Sequence, residues 1–241
     1  FKMNAILLAA GYGTRLRPMT NKIPKCLVKI NQIPIIERCI NKLEEASIET
    51  VLINTHYLND KVRNYLKKKK FKIKIKTTYE KKLLGTAGTL LKNFNFYKNY
   101  DGLLLHADNY FDESLVNLIN YHKKRPHNCL ITALTFKTEN PSSCGIFKIN
   151  SKKIVKDFYE KPKNKKVGNL ANAATYVLSS RFLNMLNSKF NKASSFSDDV
   201  LPCLKNRIFT FETKKIFIDI GSLKNYRLAN KHAKRQDTPK F

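Results

Sequence analysis

The 241-residue sequence has few acidic residues, no paired cysteine motif and no long hydrophobic run. Its five cysteines are widely separated and lack a C-x-x-C pair, which argues against a disulfide framework and a zinc site. No apolar stretch approaches the roughly 18 residues that a membrane span needs. The start also lacks the long apolar segment of a secretory signal, because its apolar run stops at Gly11. We therefore expect a cytoplasmic protein with reduced thiols and no membrane partner.

The shortage of acids leaves a formal net charge of +28, from 46 Lys and Arg against 18 Asp and Glu. Taken alone, this excess favours nucleic acid or an anionic membrane as the partner. The lysines are scattered along the whole chain, however, and aromatic residues do not interleave with arginines as they do on base-stacking surfaces. We interpret most of the charge as a solvated surface that also attracts polyphosphates, and we expect no nucleic-acid partner. A basic nucleic-acid-binding protein is the alternative from another functional class.

Strand and helix patterns alternate over the first half of the chain. NAILLAAG and TVLINTHY predict buried strands, and the apolar residues of IIERCINKLEEAS recur at helical spacing. This alternation favours a mainly parallel sheet covered by helices on both faces. From about Ser142 the segments become shorter, which suggests antiparallel strands added to the same sheet. The sequence thus predicts one α/β domain over residues 3–232 and a loose tail over residues 233–241.

The stretch LLAAGYGTRLRPMTNKIPKCL, residues 7–27, runs from an apolar strand into two glycines and then into basic residues. Glycines let the backbone approach an anion, and free N–H groups there point at its oxygens. The stretch is no P-loop, because Gly-Lys-Ser/Thr is absent, and no dinucleotide fingerprint, because Leu16 stands where a third glycine is required. It predicts a loop that wraps a nucleoside triphosphate, with amides from Gly11 to Arg15 and cations at Arg15 and Lys25.

These residues resemble the sugar-1-phosphate nucleotidyltransferases, the pyrophosphorylases that make nucleotide-activated sugars. LAAGYGTRLRPMT through PKCL is similar to the family's long glycine-loop pattern, and EKKLLGTAGTL resembles the segment that lies against the nucleotide base. HADNYF and FIDIGSLKNY resemble two metal-binding segments, whereas CGIF, YEKP and NAATYVL resemble sugar-contacting segments. The resemblance implies a three-layer α/β/α sandwich with a Rossmann-like, mostly parallel mixed sheet of the nucleotide-diphospho-sugar transferase type.

The resemblance also implies roles at the nucleotide end of the site. Asp108 and Asp219 would hold Mg²⁺, Arg15 would stabilise the leaving pyrophosphate, and Lys25 would neutralise charge at the α-phosphate. The implied nucleotide-binding residues are Leu8, Ala10, Gly11, Gly13, Thr14, Glu80 and Gly85.

Departures from the family pattern are modest. Ala107 precedes the metal-binding aspartate where glycine is frequent, Cys26 follows the lysine where proline or alanine is frequent, and Ala174 replaces the glycine of N-A-G-x-Y. The last change adds a methyl group near the sugar and leaves the sugar's identity open. The implied sugar-phosphate-binding residues are Gly145, Glu160, Lys161 and Asn172.

The implied reaction is attack of a sugar-1-phosphate oxygen on the α-phosphorus of a nucleoside triphosphate, with release of pyrophosphate. The nucleophile is already an anion, so no general base is needed, and catalysis reduces to alignment and charge neutralisation. A carboxylate at Glu80 can accept from both N–H donors of guanine, but the same position could instead hold a ribose hydroxyl or form only a loop. The overall pattern, especially L-G-T-A-G, most resembles the mannose-1-phosphate and heptose-1-phosphate guanylyltransferases, and this resemblance implies GTP with a mannose- or heptose-like sugar phosphate. Cytidylyl, uridylyl or thymidylyl transfer, phosphocholine as the acceptor, and assembly into a homo-oligomer stay open.

Several of these carboxylates also have simpler interpretations. Asp108 on its own is a helix-capping candidate, and Asp219 on its own is a turn residue before Gly221. The pair Asp198 and Asp199 is better explained by a helix start capped by Ser197 than by catalysis.

Overall fold

The computed structural model describes residues 3–98, 100–164 and 167–237. It confirms the predicted α/β class, with a mixed, mostly parallel sheet and helices distributed along the chain. The chain divides into two compact units, and the range suggested as one domain, 3–232, includes parts of both. The first unit comprises Phe1–Ile6, Leu84–Leu105 and Ser114–Lys214, and the second comprises Leu7–Leu83, His106–Glu113 and Lys215–Phe241.

The regular elements follow the alternation predicted from the sequence. The strands are, in chain order, β1 (Met3–Leu8), β2 (Lys29–Ile30), β3 (Ile33–Pro34), β4 (Thr50–Thr55), β5 (Lys74–Tyr79), β6 (Asp101–His106), β7 (Asn109–Phe111), β8 (Ile131–Lys137), β9 (Gly145–Ile149), β10 (Val155–Glu160), β11 (Leu170–Leu178), β12 (Ile208–Glu212) and β13 (Phe217–Asp219). The helices are α1 (Ile35–Glu45), α2 (Asn59–Lys68), α3 (Gly85–Lys92), α4 (Phe94–Tyr97), α5 (Leu115–Lys123), α6 (Ser180–Lys189) and α7 (Leu223–Asp237).

The first unit is built on strands in the order β10-β9-β11-β6-β1, with β8 beside β11 and β12 beside β8. Strand β11 is antiparallel to β6, β8 and β9, as the shorter segments after Ser142 suggest. Its pairing with β8 shifts register between Asn172 and Tyr176, which marks a bulge. A bulge re-aims side chains beside it, and this one falls within the NAATYVL segment.

The second unit contains the parallel pair β4 and β5 and two short antiparallel pairs, β2 with β3 and β7 with β13. Helix α1 buries Ile36, Cys39, Ile40 and Leu43, the apolar face predicted from their spacing. Strand β1 ends in this unit at Leu8, where the glycine loop begins.

Helix α7 closes the described part of the chain. It runs through Asp237, so residues 233–237 of the predicted tail are helical, and the rest of that tail, residues 238–241, lies outside the described residues. Within the described ranges, no helix combines the length and the apolar character that crossing a bilayer requires.

Candidate active site

The glycine loop follows β1 in the second unit and requires glycine at one position in particular. Gly13 has a φ of 67°, in the left-handed region, and a Cβ there would lie 2.9 Å from the Cβ of Lys25 and 3.0 Å from Cγ2 of Thr20. Any other residue at position 13 would therefore be strained and would displace its neighbours. A Cβ at Gly11, by contrast, would meet no atom within 4 Å, so the backbone there is open to an approaching group.

Side chains of neighbouring segments fix this loop. The Thr20 hydroxyl donates to the Gly13 carbonyl at 2.7 Å, and the Ala9 amide donates to Oδ1 of Asn54 at 2.8 Å. The predicted nucleotide contacts Leu8 and Ala10 are half-buried and buried, and Thr14 is exposed at the start of a short 3₁₀ turn. Hydrogen bonds at Ala9 and at Gly13 therefore anchor the loop, and its backbone and the Thr14 side chain are exposed.

Arg15 projects from the end of this loop. Its side chain is 71% exposed, and its Nη2 atom lies 3.7 Å from Oδ2 of Asp219. A Cβ at position 221 would lie 2.5 Å from Nη2 of Arg15, so Gly221 leaves room for the guanidinium. An exposed guanidinium of this kind can bind a phosphate with two parallel N–H donors.

Lys25 brings the two predicted metal ligands together. Its ammonium donates a hydrogen bond to Oδ2 of Asp108 and lies 3.5 Å from Oδ1 of Asp219. Burial disfavours the charged form of Asp108, but the Lys25 ammonium, His106 and a backbone hydrogen bond together hold the pKa of that carboxyl below its ordinary value. Two carboxylates and one ammonium therefore form a compact charged cluster.

The backbone explains why residues so far apart in sequence meet here. Strands β7 and β13 pair antiparallel, with Asp219 opposite Asn109. The Asp219 carboxylate also accepts from the Gly221 amide at 2.8 Å, and Asn225 donates to the Asp219 carbonyl at 2.8 Å. The Asp108 carboxylate accepts a hydrogen bond from the Lys25 ammonium, so its side chain does not act as the helix cap that was the alternative interpretation.

The donor set of this cluster suits Mg²⁺. Magnesium in nucleotide sites is commonly held by one or two carboxylates, with waters and substrate phosphates completing the octahedron. Asp108 and Asp219 supply two carboxylates that already converge on one cation, the Lys25 ammonium. Over the described residues, no group of three or more His, Cys, Asp or Glu side chains is arranged to enclose a metal, so the protein offers only such a partial set.

Glu80, the residue assigned to the base from the sequence, is buried in the second unit. The residue is 1% exposed, and its Oε1 accepts from Nδ2 of Asn54 at 3.0 Å. This hydrogen bond occupies one of the two carboxylate oxygens, and the assignment of Glu80 to the base stays a prediction.

Gly85 lies in the first unit, at the start of α3, with a φ of 78°. A Cβ there would overlap the Ser194 carbonyl, which accepts from the Ala87 amide at 2.9 Å. The L-G-T-A-G segment therefore needs its glycine to pack against the loop before residue 196. In that loop Ser195, and not Ser197 as predicted, caps the helical turn that contains Asp198 and Asp199.

The predicted sugar-phosphate residues lie in the first unit. Gly145 pairs with Glu160 across β9 and β10, and a Cβ on Gly145 would lie 2.9 Å from Oε2 of Glu160. Burial raises the pKa of Glu160, the Lys161 ammonium 3.5 Å away opposes this rise, and Asp198 adds to it. Lys161 has a φ of 44° and a side chain that is 66% exposed, so its charge is available to an anion.

Asn172 sits at the bulge of β11. Its Nδ2 donates to the Tyr176 hydroxyl at 2.6 Å, and its Oδ1 accepts from the Ala174 amide at 3.0 Å. Ala174 itself has a φ of 49°, which explains why glycine is usual at this position of the family pattern. The amide of Asn172 is thus fixed in orientation.

Three residues at the end of β4 that contact the glycine loop or its flank were not predicted from the sequence. Asn54, His56 and Tyr57 appear there only as part of a strand pattern, yet all three reach the loop or its flank. Their one signal in the sequence was the polar and aromatic end of TVLINTHY, just beyond an apolar run.

Two solved structures are similar in fold to this chain. HddC from Yersinia pseudotuberculosis, complexed with GMP-PN, superposes with a TM-score of 0.79 at 23% identity, over 95% of this chain and 98% of that chain. UDP-glucose pyrophosphorylase from Acinetobacter baumanii gives a TM-score of 0.81 at 18% identity, over 99% and 95% of the two chains. At these identities the likeness supports the fold alone.

Sequence comparison extends the likeness to a family. Mannose-1-phosphate guanyltransferase 2 of Candida glabrata is 30% identical over 232 residues, which cover 93% of this chain and 63% of that protein. The chain thus spans less than two thirds of the length of the mannose-1-phosphate guanyltransferases that it matches. Residues 4–236 match the sequence model of the nucleotidyl transferases. Because this match extends over nearly the whole chain, the protein belongs to the nucleotidyl transferase family.

Proposed function

We propose that this chain transfers a nucleoside monophosphate from a nucleoside triphosphate to a sugar-1-phosphate, with Mg²⁺, and releases pyrophosphate. The observation that carries the proposal is the contact of the Lys25 ammonium with both Asp108 and Asp219, close in sequence and space to the glycine loop. Two phosphate-bearing substrates repel each other, and a reaction between them needs fixed cations. The cluster supplies one cation, the Lys25 ammonium, and two carboxylate ligands for a second cation, Mg²⁺.

The nucleotide is assigned to the glycine loop of the second unit, and Gly85 keeps the nucleotide-binding role that the resemblance implies. Backbone amides from Gly11 to Arg15 would bind the phosphates, with Leu8 and Ala10 beneath the nucleoside and Thr14 at the turn. Arg15 would neutralise the pyrophosphate as it leaves, and Lys25 would face the α-phosphate. Asp108 and Asp219 would hold Mg²⁺, which when bound withdraws charge from phosphate oxygens.

The sugar phosphate is assigned to residues of the first unit. Lys161 would bind its phosphate, while Glu160 and Asn172 would hydrogen-bond sugar hydroxyls and Gly145 would keep the space beside Glu160 free. An oxygen of the sugar phosphate forms a bond to the α-phosphorus, and the bond from that phosphorus to the bridging oxygen of pyrophosphate breaks. No proton has to be removed from the nucleophile, so none of these residues is required as a base.

Within this reaction we favour GTP and mannose-1-phosphate or a related sugar phosphate. The support is the similarity to proteins named mannose-1-phosphate guanyltransferases. A carboxylate at Glu80 can accept from both N–H donors of guanine, which also favours GTP. Cytidylyl, uridylyl or thymidylyl transfer uses the same residues and is the alternative.

The test is pyrophosphate release in the presence of Mg²⁺, with the four ribonucleoside triphosphates and dTTP each paired with hexose-1-phosphates, a heptose-1-phosphate and phosphocholine. Release with GTP and a sugar-1-phosphate is the expected result. Release with phosphocholine alone would overturn the assignment of the acceptor. A folded protein that binds DNA or RNA in a salt-sensitive manner and releases no pyrophosphate would favour the nucleic-acid-binding alternative.

A further inference from the structure

The peptide group between Asp219 and Ile220 is hydrogen-bonded at both of its polar atoms. Its N–H, the amide of Ile220, donates to the Asp108 carbonyl at 3.1 Å. Its carbonyl, that of Asp219, accepts from Nδ2 of Asn225 at 2.8 Å. A carbonyl only accepts, so the Asn225 side chain turns its NH₂ group toward this peptide. A side chain of α7 and the backbone of one proposed metal ligand thus fix a peptide that belongs to the other ligand.

The Asp219 carboxylate is oriented by the same turn. Its Oδ1 accepts from the Gly221 amide at 2.8 Å and lies 3.5 Å from the Lys25 ammonium. A peptide group moves as one planar unit, so a rotation of the peptide between Asp219 and Ile220 would also displace the Gly221 amide that follows it. The direction of the Asp219 carboxylate therefore depends on the peptide that Asn225 holds.

The first turns of α7 keep Asn225 in place. The Ser222 hydroxyl accepts from the Asn225 amide at 3.2 Å, which is the contact of a helix N-cap. Further along the helix, Ala229 and Ala233 are fully buried and belong to the same apolar cluster as Ile220. The helix is therefore capped beside the proposed metal ligands and packed against the interior beyond them.

Two more side chains of α7 reach the segments that carry the other members of the charged cluster. Oδ1 of Asn230 accepts from the Asn31 amide at 2.9 Å, in the turn between β2 and β3. Nδ1 of His232 contacts the Tyr110 hydroxyl at 3.1 Å, in β7. The pair β2 and β3 follows the lysine of the cluster in the chain, and β7 follows its first aspartate. Helix α7 thus contacts each of the segments from which the cluster is built.

We propose that Asn225 is a positioning residue for the binding of Mg²⁺ by Asp108 and Asp219, and that α7 holds it in place for this role. The inference rests on the proposed function for the assignment of the two carboxylates to the metal. Asn225 acts through one peptide and not as a ligand, so its loss would free that peptide to rotate. Mg²⁺ demands nearly ideal octahedral geometry, and its binding is therefore sensitive to the orientation of the two carboxylates.

The test compares Asn225→Ala, Asn225→Gln and Asn230→Ala in the full chain, with Asn64→Ala at an exposed position of α2 as the matched control. Equilibrium dialysis with the four labelled ribonucleoside triphosphates and dTTP, without sugar phosphate, gives Kd in EDTA and in saturating Mg²⁺. For the nucleotide that binds most tightly, the ratio of these two Kd values measures the gain in affinity due to the metal. Circular dichroism reports folding, and pyrophosphate release gives kcat and KM.

We expect Asn225→Ala to reduce this gain about 3- to 10-fold, as loss of one hydrogen bond predicts, and to lower kcat by a similar factor. Kd in EDTA should keep the wild-type value, because the Asn225 side chain bonds the Asp219 carbonyl and not the phosphate-binding loop. Asn225→Gln keeps an NH₂ donor and should lose less of the gain. Asn230→Ala, further along the helix, should also lose less.

A second comparison separates positioning from a general loss of structure. Asn225→Ala should have no further effect on the gain in a chain that already carries Asp219→Asn, because both changes act on the same ligand. A general structural defect would instead add to the loss caused by Asp219→Asn. Alanine also favours a helix more than asparagine does, so the variant is not expected to weaken α7 itself.

An unchanged gain in folded Asn225→Ala, or an equal loss in the control Asn64→Ala, would overturn the inference. A wild-type chain whose Kd does not respond to Mg²⁺ would overturn it as well. If Asn225→Ala does not fold, Asn225→Gln and Asn230→Ala decide between the same outcomes. If the wild-type chain gains affinity from Mg²⁺ but releases no pyrophosphate, the proposed function fails, and the gain measured in the variants still tests the role of Asn225.

Discussion

The Ile220 amide donates a hydrogen bond to the Asp108 carbonyl at 3.1 Å. This backbone contact continues the pairing of β7 with β13 and places Asp219 next to Asp108. The two carboxylates are therefore held together by backbone geometry as well as by the Lys25 ammonium. A site that depends on two carboxylates sharing one cation is preorganised in this way before any substrate binds.

Removing either carboxylate should abolish turnover. Asp108→Asn and Asp219→Asn each keep the shape of the side chain but remove a charge that the cluster needs, so we expect pyrophosphate release to fall by about 10²-fold or more. Asp60→Asn, on exposed helix α2, is the matched control and should release pyrophosphate at the wild-type rate. Near-normal release from both cluster variants would contradict the assignment of the metal ligands.

Arg15→Ala should lower kcat by about 10²-fold while leaving the thermal midpoint unchanged. The side chain is 71% exposed and makes one long ion pair, so its loss removes little folding energy. Arg63→Ala, at an exposed position of α2, serves as the control for loss of a surface arginine. A wild-type kcat in the Arg15 variant would show that the guanidinium does not face the reacting phosphates.

Ala174→Gly should stabilise the protein by about 0.5 to 1 kcal/mol. An alanine in the left-handed region costs roughly 1–2 kcal/mol, and this gain is partly offset by the larger entropy of glycine in the unfolded chain. Ala173→Gly, one residue earlier in the same strand and without a positive φ, should destabilise it. The midpoint of urea unfolding measures the stability of each variant. Equal shifts in the same direction would contradict the claim that the backbone is strained at Ala174.

Gly145→Ala should impair binding of the sugar phosphate selectively. The new Cβ would lie 2.5 Å from the Phe158 ring and 2.9 Å from the Glu160 carboxylate, so both must move. We expect KM for the sugar-1-phosphate to rise several-fold while Kd for the nucleotide stays constant. An equal rise in both constants would indicate a general structural defect.

Much of the fold follows from local patterns. The apolar spacing of IIERCINKLEEAS predicts a helix and the apolar run of TVLINTHY predicts a buried strand, and α1 and β4 are found there. The shorter segments after Ser142 correctly predicted antiparallel strands. The bulge at Ala174 was not predicted, because it depends on a backbone angle that composition does not reveal.

The site could be predicted only in part. The glycine loop and its cations are close together in sequence, whereas the meeting of Asp108 with Asp219 needs β7 and β13 to pair, and only the family resemblance anticipated it. The hydrogen bond from Asn54 to the Glu80 carboxylate could not be foreseen, because the strand pattern gave Asn54 no role.

In the proposed reaction, a sugar phosphate attacks the α-phosphorus of the nucleotide. The direct measurement uses GTP labelled with ³²P at either the α or the γ position, together with mannose-1-phosphate and Mg²⁺, followed by separation of the products. We predict that the α label appears in a nucleotide sugar and the γ label in pyrophosphate. Transfer of the γ label to the sugar, or its release as inorganic phosphate, would contradict the claim.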